Sequence, residues 1–467
     1  MEEDFEFDYT EDAKFSVERY EEMIRKQDLY FFDSQSFDGI IDYYIEKNDP
    51  IKALQVVDFA KTQHPYVASF LIKQAQLLIG TGQMEEAYEL LEKAESLEPS
   101  NPDIYLLKGS VMESREWHDD ALDYYHKALE LSDEPQEIYM QIAYLYENIG
   151  DYRSAIDNLK ACLLGPAENQ DALYELAYCY DILELQEESI AFYLQFIDGD
   201  PYSYSAWYNL GNAYSKLNLF EKAIDAYDYA ILIKETFGSA YFNKGNALIN
   251  MERYQDAIAV FKLTFEYETP DAETYCSIGE CYEKLELMDE ARSYYKKAVK
   301  LDDGLAEAWF GIGITLDFEE RWFESIHFFK KAIGVNDSNP EYWFALGDSE
   351  YKLGNYDAAA EAYERVLELS PQDMDIWLDY SSMHFEQGNL AEAISLLYDG
   401  IKNFPDLMDF QYRMVAYLFS DGQYNESLNF LQNALTKDPS KLDQLFEYLP
   451  DLEKQSLIMD IINRYSV

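Results

Sequence analysis

The chain has 467 residues, 48% of them apolar and 16% aromatic, enough to bury a substantial core. Its 36 basic residues stand against 91 acidic ones, a formal net charge of −55 that repels nucleic acid and anionic lipid alike. The 42 tyrosines and 27 phenylalanines run through the whole sequence, which excludes a disordered acidic polymer.

Residues 1–33 open the chain. The stretch from Glu2 to Asp12 is acidic and aromatic, and Phe15 to Tyr30 is predicted to form a helix. Val17, Tyr20, Met23 and Ile24 fall roughly on one side, and the helix is expected to cover the exposed face of the next segment. No basic stretch followed by an apolar one marks a secretory leader. No apolar run reaches the roughly 18 residues of a membrane span. A cytoplasmic protein is expected, and the four cysteines, Cys162, Cys179, Cys276 and Cys281, lack metal or redox spacing and read as small buried hydrophobes.

From Ser34 to Lys441 a 34-residue pattern returns twelve times without insertion or deletion. Its clearest copy surrounds Ser205 to Ile231. The twentieth place is always Ala or Ser: Ala53, Ala87, Ala121, Ala155, Ser189, Ala223, Ala257, Ala291, Ser325, Ala359, Ala393 and Ser427. The eighth place is Gly109, Gly211, Gly245, Gly279, Gly313 or Gly347, and is large only at Ile41 and Val415 in the outermost copies. Bulky rings such as Tyr105, Trp207, Trp309, Trp343 and Trp377 hold the fourth place. Two antiparallel helices approach closely only where a small residue meets a large one, so each copy is expected to be a helix pair. Prolines at the thirty-second place, Pro65, Pro99, Pro201, Pro371, Pro405 and Pro439, end the second helix.

Residues 442–467 leave the register because Pro450 interrupts the next helix. A short helix to Leu449 and another from Asp451 to about Arg464 are predicted. Leu452, Leu457, Ile458, Ile461 and Ile462 are expected to cap the last copy, because a solenoid needs a closed end.

This pattern resembles the tetratricopeptide repeat (TPR). The resemblance implies an all-α fold, a right-handed superhelical solenoid of helix-turn-helix units over residues 34–441 with a concave inner groove. It also implies that places 2, 5, 6, 9, 12 and 13 of each copy point into that groove. These places hold Asn209, Asn212, Asn243 and Asn246, which resemble the asparagine ladders of TPR proteins that grip an extended peptide backbone. An Asn amide can donate and accept at once. The fifth place brings Tyr174, Tyr208, Phe242, Phe310, Phe344 and Tyr412, aromatic area of the kind that forms binding hot spots. Acidic residues at the inward places number 21 against five basic ones. The excess survives when the second place, where a helix dipole alone favours carboxylates, is set aside.

The chemistry expected is binding. His64, His118, His126, His327 and His384 are scattered, so no zinc site, metal or cofactor is expected, and no enzyme. Some TPR proteins carry a fused catalytic domain, but 33 residues before the repeats and 26 after are too few for one. The clamp by which one TPR subfamily holds acidic chaperone tails is missing, since Glu273 and Ser277 stand where it needs Lys and Arg. The expected role is a protein-interaction scaffold that takes extended or helical, neutral-to-basic protein segments in an acidic groove, without direct nucleic-acid or membrane contact. The alternative is a structural arm of a larger complex that uses its convex face or ends. A homo-oligomer is compatible with either.

Overall fold

A computed structural model describes residues 11–165 and 169–465; most of the acidic N-terminal stretch lies outside them. The described chain is helical throughout, with short turns, and falls into two compact parts, Met1–Ile233 and Lys234–Val467.

In the first part α1 (Glu11–Lys26) precedes six helix pairs. These are α2 (Ser34–Glu46) with α3 (Pro50–Gln63), α4 (Ala68–Gly80) with α5 (Met84–Leu97), and α6 (Pro102–Ser114) with α7 (His118–Leu131). Next come α8 (Gln136–Asn148) with α9 (Tyr152–Cys162), α10 (Gln170–Ile182) with α11 (Gln186–Gly199), and α12 (Tyr204–Lys216) with α13 (Phe220–Ile233). The second part holds six more pairs: α14 (Gly238–Asn250) with α15 (Tyr254–Tyr267), α16 (Ala272–Lys284) with α17 (Met288–Leu301), and α18 (Ala306–Phe318) with α19 (Trp322–Val335). They continue as α20 (Pro340–Lys352) with α21 (Tyr356–Leu369), α22 (Met374–Glu386) with α23 (Leu390–Asn403), and α24 (Met408–Ser420) with α25 (Tyr424–Lys437). Two short 3-10 turns flank α26 (Leu442–Tyr448), and α27 (Ser456–Tyr465) ends the described chain. The fold is an all-α solenoid of helix-turn-helix units.

Each pair is set by local chemistry. Asp33, Asn101, Asn169, Ser203, Asp271, Asn339 and Asp373 cap first helices, each side chain accepting a backbone N–H of the first turn. One residue in every turn between paired helices adopts positive φ. It is Gly at 82, 150, 354, 388 and 422, Asn at 48 and 218, and Glu at 116, 184, 252, 286 and 320. Within a pair the eighth-place glycine seats an aromatic ring from the second helix, Tyr125 against Gly109, Tyr227 against Gly211 and Phe329 against Gly313. The sequence paired the small residues with the bulky fourth place; the ring that fills the gap belongs to the twenty-fourth.

The fourth-place indoles serve the junction between pairs instead. Trp207, Trp309, Trp343 and Trp377 each donate Nε1–H to the carbonyl six residues earlier, at Pro201, Asp303, Asp337 and Pro371, over 2.8–3.1 Å. They tie a first helix to the turn that leads into it. First helices of successive pairs also pack on each other, α4 on α6 and α10 on α12 in the first part, α16 on α18 and α18 on α20 in the second. Within each part the stack therefore closes toward its first helices, and they form its inner side.

At the ends, α1 packs on α2 through buried Val17, Tyr20 and Met23, but Ile24 is exposed, so the helix presents a narrower stripe than expected. At the other end α26 packs on α24 and α27 on α25. Leu452, Ile458, Ile461 and Ile462 are buried while Leu457 is exposed, because α27 starts at Ser456 and turns that residue outward.

Candidate binding groove

The inner side of the second part carries a hollow of about 410 Å³ built mainly from three consecutive first helices, with Val366 of α21 behind them. Phe310, Ile314 and Asp317 come from α18, and Pro340, Glu341, Phe344, Ala345 and Asp348 from α20. Asp375 enters from the first turn of α22, and Asp373 from its cap. The two phenylalanines expected on the groove wall are thus brought to one cavity. Each also leans on its own pair, Phe310 at 5.6 Å from Phe329 and Phe344 at 6.0 Å from Tyr363, and Phe310 lies 4.8 Å from Tyr342 of the next pair, centroid to centroid. The rings are half-buried, held by aromatic neighbours on one side and lining the hollow on the other.

Five carboxylates line the hollow, and no basic residue does. One lysine stands beside it: Lys352 Nζ lies 2.8 Å from Asp348 and 3.2 Å from Asp317. Asp373 accepts the backbone N–H of Asp375 at 3.0 Å. Its position before the helix put it outside the inward places; the Asp-x-Asp spacing at a helix start was the available signal. Further along, burial pushes the Asp379 carboxyl up against the opposing pull of Arg413. Arg413 donates Nη1–H to the Leu378 carbonyl at 2.5 Å and lies 4.5 Å from the Tyr448 ring centroid. Tyr412, expected on the groove wall, is fully buried, with its hydroxyl on the Asp438 carbonyl at 2.9 Å.

Not every inward acid is available to a ligand. Glu283 accepts the Tyr295 hydroxyl at 2.8 Å, and burial raises its pKa. Burial raises Glu147 and Glu175 likewise, and Cys179 donates its thiol to Glu147 at 3.3 Å. Lys73 holds Asp38 and Asp42 at 3.2 and 2.7 Å. Carboxylates of this kind belong to the packing between helices.

The asparagines behave differently from expectation. In the first part Asn209 is only 6% exposed. Its amide donates to the Leu173 carbonyl at 3.0 Å and to the Tyr193 hydroxyl at 3.3 Å. It is a packing residue between neighbouring pairs, which corrects the reading that it turns away from the core. Asn212 is half-buried and accepts the Tyr227 hydroxyl at 2.9 Å. Tyr208 is half-buried with its ring 6.0 Å from Tyr227, whereas Tyr174 is 69% exposed on α10. In the second part Asn243 and Asn246 are half-buried on α14, and Phe242 lies 5.6 Å from Phe261. Of the residues expected to bind, Phe310 and Phe344 share this hollow with the acidic lining.

Among the described residues no cluster of three or more His, Cys, Asp or Glu side chains is arranged to hold a metal, and no helix is long and apolar enough to cross a membrane.

Helix pairs of this construction define a class of repeat solenoid. Tetratricopeptide repeat models match residues 68–101, 140–204, 204–237, 238–267, 272–304 and 329–407, and the chain belongs to the tetratricopeptide repeat family, a family of protein-interaction scaffolds. No curated protein gives a significant match. Solved structures do. The chain is 22% identical to YrrB, a TPR protein with an unusual peptide-binding site, over 39% of this chain and 95% of that one, with a TM-score of 0.34. It is 14% identical to a chain of the APC/C hetero-tetramer Cut9-Hcn1, over 89% and 93%, at 0.42. It is 17% identical to the C-terminal part of a TPR protein from Cytophaga hutchinsonii, over 52% and 99%, at 0.45.

Proposed function

We propose that this chain is a non-enzymatic, cytoplasmic protein-interaction scaffold that binds neutral-to-basic segments of partner proteins along its first helices. The observation that carries the reading is the hollow in the second part, where Phe310 and Phe344 lie among Asp317, Glu341, Asp348, Asp373 and Asp375. Aromatic area supplies affinity, and the carboxylates choose the sign of the partner and speed its arrival. In this reading residues 34–441 form the repeat array, and residues 1–33 and 442–467 close its ends. A basic partner that itself binds nucleic acid would link the scaffold to nucleic acid indirectly.

The test uses labelled peptides of graded net charge and fluorescence anisotropy, on wild type and on the F310A/F344A variant. Basic peptides are expected to bind, to weaken with added salt because exposed charges are screened beyond about 8 Å at physiological ionic strength, and to lose most of their affinity in the variant. Equal binding of acidic peptides, or an unchanged variant, rejects the reading.

A second reading has its own observation. Larger hollows, of about 870 and 680 Å³, lie on second helices, the former lined by Phe192, Phe196 and Leu164, the latter by Phe323, His327 and Leu353. Leu164 and Phe323 are 87% and 82% exposed. These surfaces suit a structural arm that contacts neighbours through its outer side. Of these three hollows the inner one is preferred because it joins apolar area to a charge of one sign, whereas the other two mix carboxylates with Lys160 and Lys330. Loss of assembly in F323S with peptide binding intact favours the arm.

A further inference from the structure

The hollow on α18, α20 and α22 is more selective than its charge alone requires. We infer that it receives an arginine side chain presented by an extended segment of a partner protein; this rests on the proposed scaffold function and names the residue recognised.

Size argues for an extended segment. Two turns of helix occupy a cylinder roughly 10 Å across and 11 Å long, on the order of 860 Å³. The hollow offers about 410 Å³, room for a long side chain and a little backbone. Composition argues for a guanidinium. The lining combines aromatic rings with carboxylates, which suits an entering group that lies against a ring and donates to carboxylates in its plane. A guanidinium does both: it is weakly hydrated, stacks on rings and presents paired N–H donors to a carboxylate. An ammonium is a compact, strongly hydrated charge that gains less from the ring.

The same chain uses this chemistry on itself. Arg413 lies over the Tyr448 ring, with its charge acting on the Asp379 carboxyl and its Nη1–H on the Leu378 carbonyl. That internal arrangement sits at the inward sixth place of the neighbouring repeats. At the hollow the ring and the carboxylates are in place and the chain supplies only a lysine, Lys352, at its edge. Lys352 neutralises Asp317 and Asp348 in part, so it competes with the incoming cation. The incoming arginine engages Asp348 and Asp375 and lies against Phe344.

The experiment titrates the full-length chain with a fluorescein-labelled Gly/Ser peptide bearing two arginines, and with its lysine and glutamine versions. The arginine peptide is expected to bind about tenfold tighter than the lysine peptide, reflecting stacking and bidentate contact. The glutamine peptide is expected not to bind. F344L narrows the arginine-to-lysine ratio to about twofold. K352Q tightens the arginine peptide, and D348N/D375N weakens it at least about tenfold. Thermal melts establish that each variant is folded. If arginine and lysine peptides bind equally and both weaken in D348N/D375N, the arginine inference falls and the scaffold reading stands. If no cationic peptide binds, or D348N/D375N changes nothing, both fall.

Discussion

A methyl group added at Gly313 would sit 2.4 Å from Cε1 of Phe329, closer than any real contact. The two residues belong to paired helices, and the glycine is what lets the ring in. Overpacking at such a site costs about 1–3 kcal/mol. G313A is therefore expected to lower the unfolding free energy by that amount, read as a lower denaturant midpoint. Gly334, near the end of α19, has nothing within 4 Å of the same added atom. G334A is expected to stabilise by up to about 1 kcal/mol through helix propensity. If the two changes are equal in sign, the packing account is wrong.

Five turns place a glutamate where φ is positive, at about the conformation that glycine takes in five others. A side chain in that region costs roughly 1–2 kcal/mol, and glycine returns part of the gain as unfolded-state entropy. E286G is expected to stabilise by about 0.5–1 kcal/mol net, and G354A to destabilise. A urea titration of both variants checks the pair.

Acidity should act in two opposite stages. Burial raises the pKa of Glu283, and of Glu147, Glu175 and Asp379 as well. Such a group holds its proton in the folded chain at pH values where the unfolded chain has lost it, so ionisation opposes folding. Its contribution grows as pH falls from neutral toward about 4.3, the ordinary glutamate value. Glu95, held down by the Lys108 hydrogen bond, and Asp33 and Asp151, held down at helix caps, do the reverse. Their contribution is present above their unfolded values and is lost as pH falls through the lowered folded ones. The melting temperature is expected to rise from neutral pH to about 5 and to fall below about 4. E283Q, which still accepts the Tyr295 hydroxyl, is expected to raise stability at neutral pH and flatten the rise. A melting temperature that falls steadily from pH 7 downward contradicts this.

Asn209 separates packing from binding. N209A removes two buried hydrogen bonds: the Tyr193 hydroxyl loses the donor it accepts from, while the Leu173 carbonyl keeps the Tyr193 O–H at 3.1 Å. The expected cost is about 1–3 kcal/mol of stability, with arginine-peptide affinity unchanged within about twofold at temperatures where the variant is folded. A variant of wild-type stability returns Asn209 to the surface.

The helix pairs were readable because small residues and prolines recur at a fixed spacing, and first helices do start at Ser34, Ala68, Pro102 and onward in steps of 34. The binding hollow was readable only in part. Phe310 and Phe344 are placed by the period of their own helices, so one sequence position predicts them. Asn209 is decided by Tyr193, sixteen residues away on another helix, and no single-helix pattern carries that information. Glu283 looked like a groove acid for the same reason, since its partner Tyr295 stands on the following helix. The turn glutamates were not legible because glutamate is a helix former and gives no sign of a left-handed backbone.

The tryptophan junctions make the protein its own reporter. Trp207, Trp309, Trp343 and Trp377 each bind their indole N–H to the turn before their helix. Loosening of a junction exposes that indole to water and shifts its emission to the red. Single-tryptophan versions, with the others changed to phenylalanine, would read the opening of one seam at a time in ordinary fluorescence. Trp343 shares α20 with Phe344, so its emission would also register a peptide arriving next door.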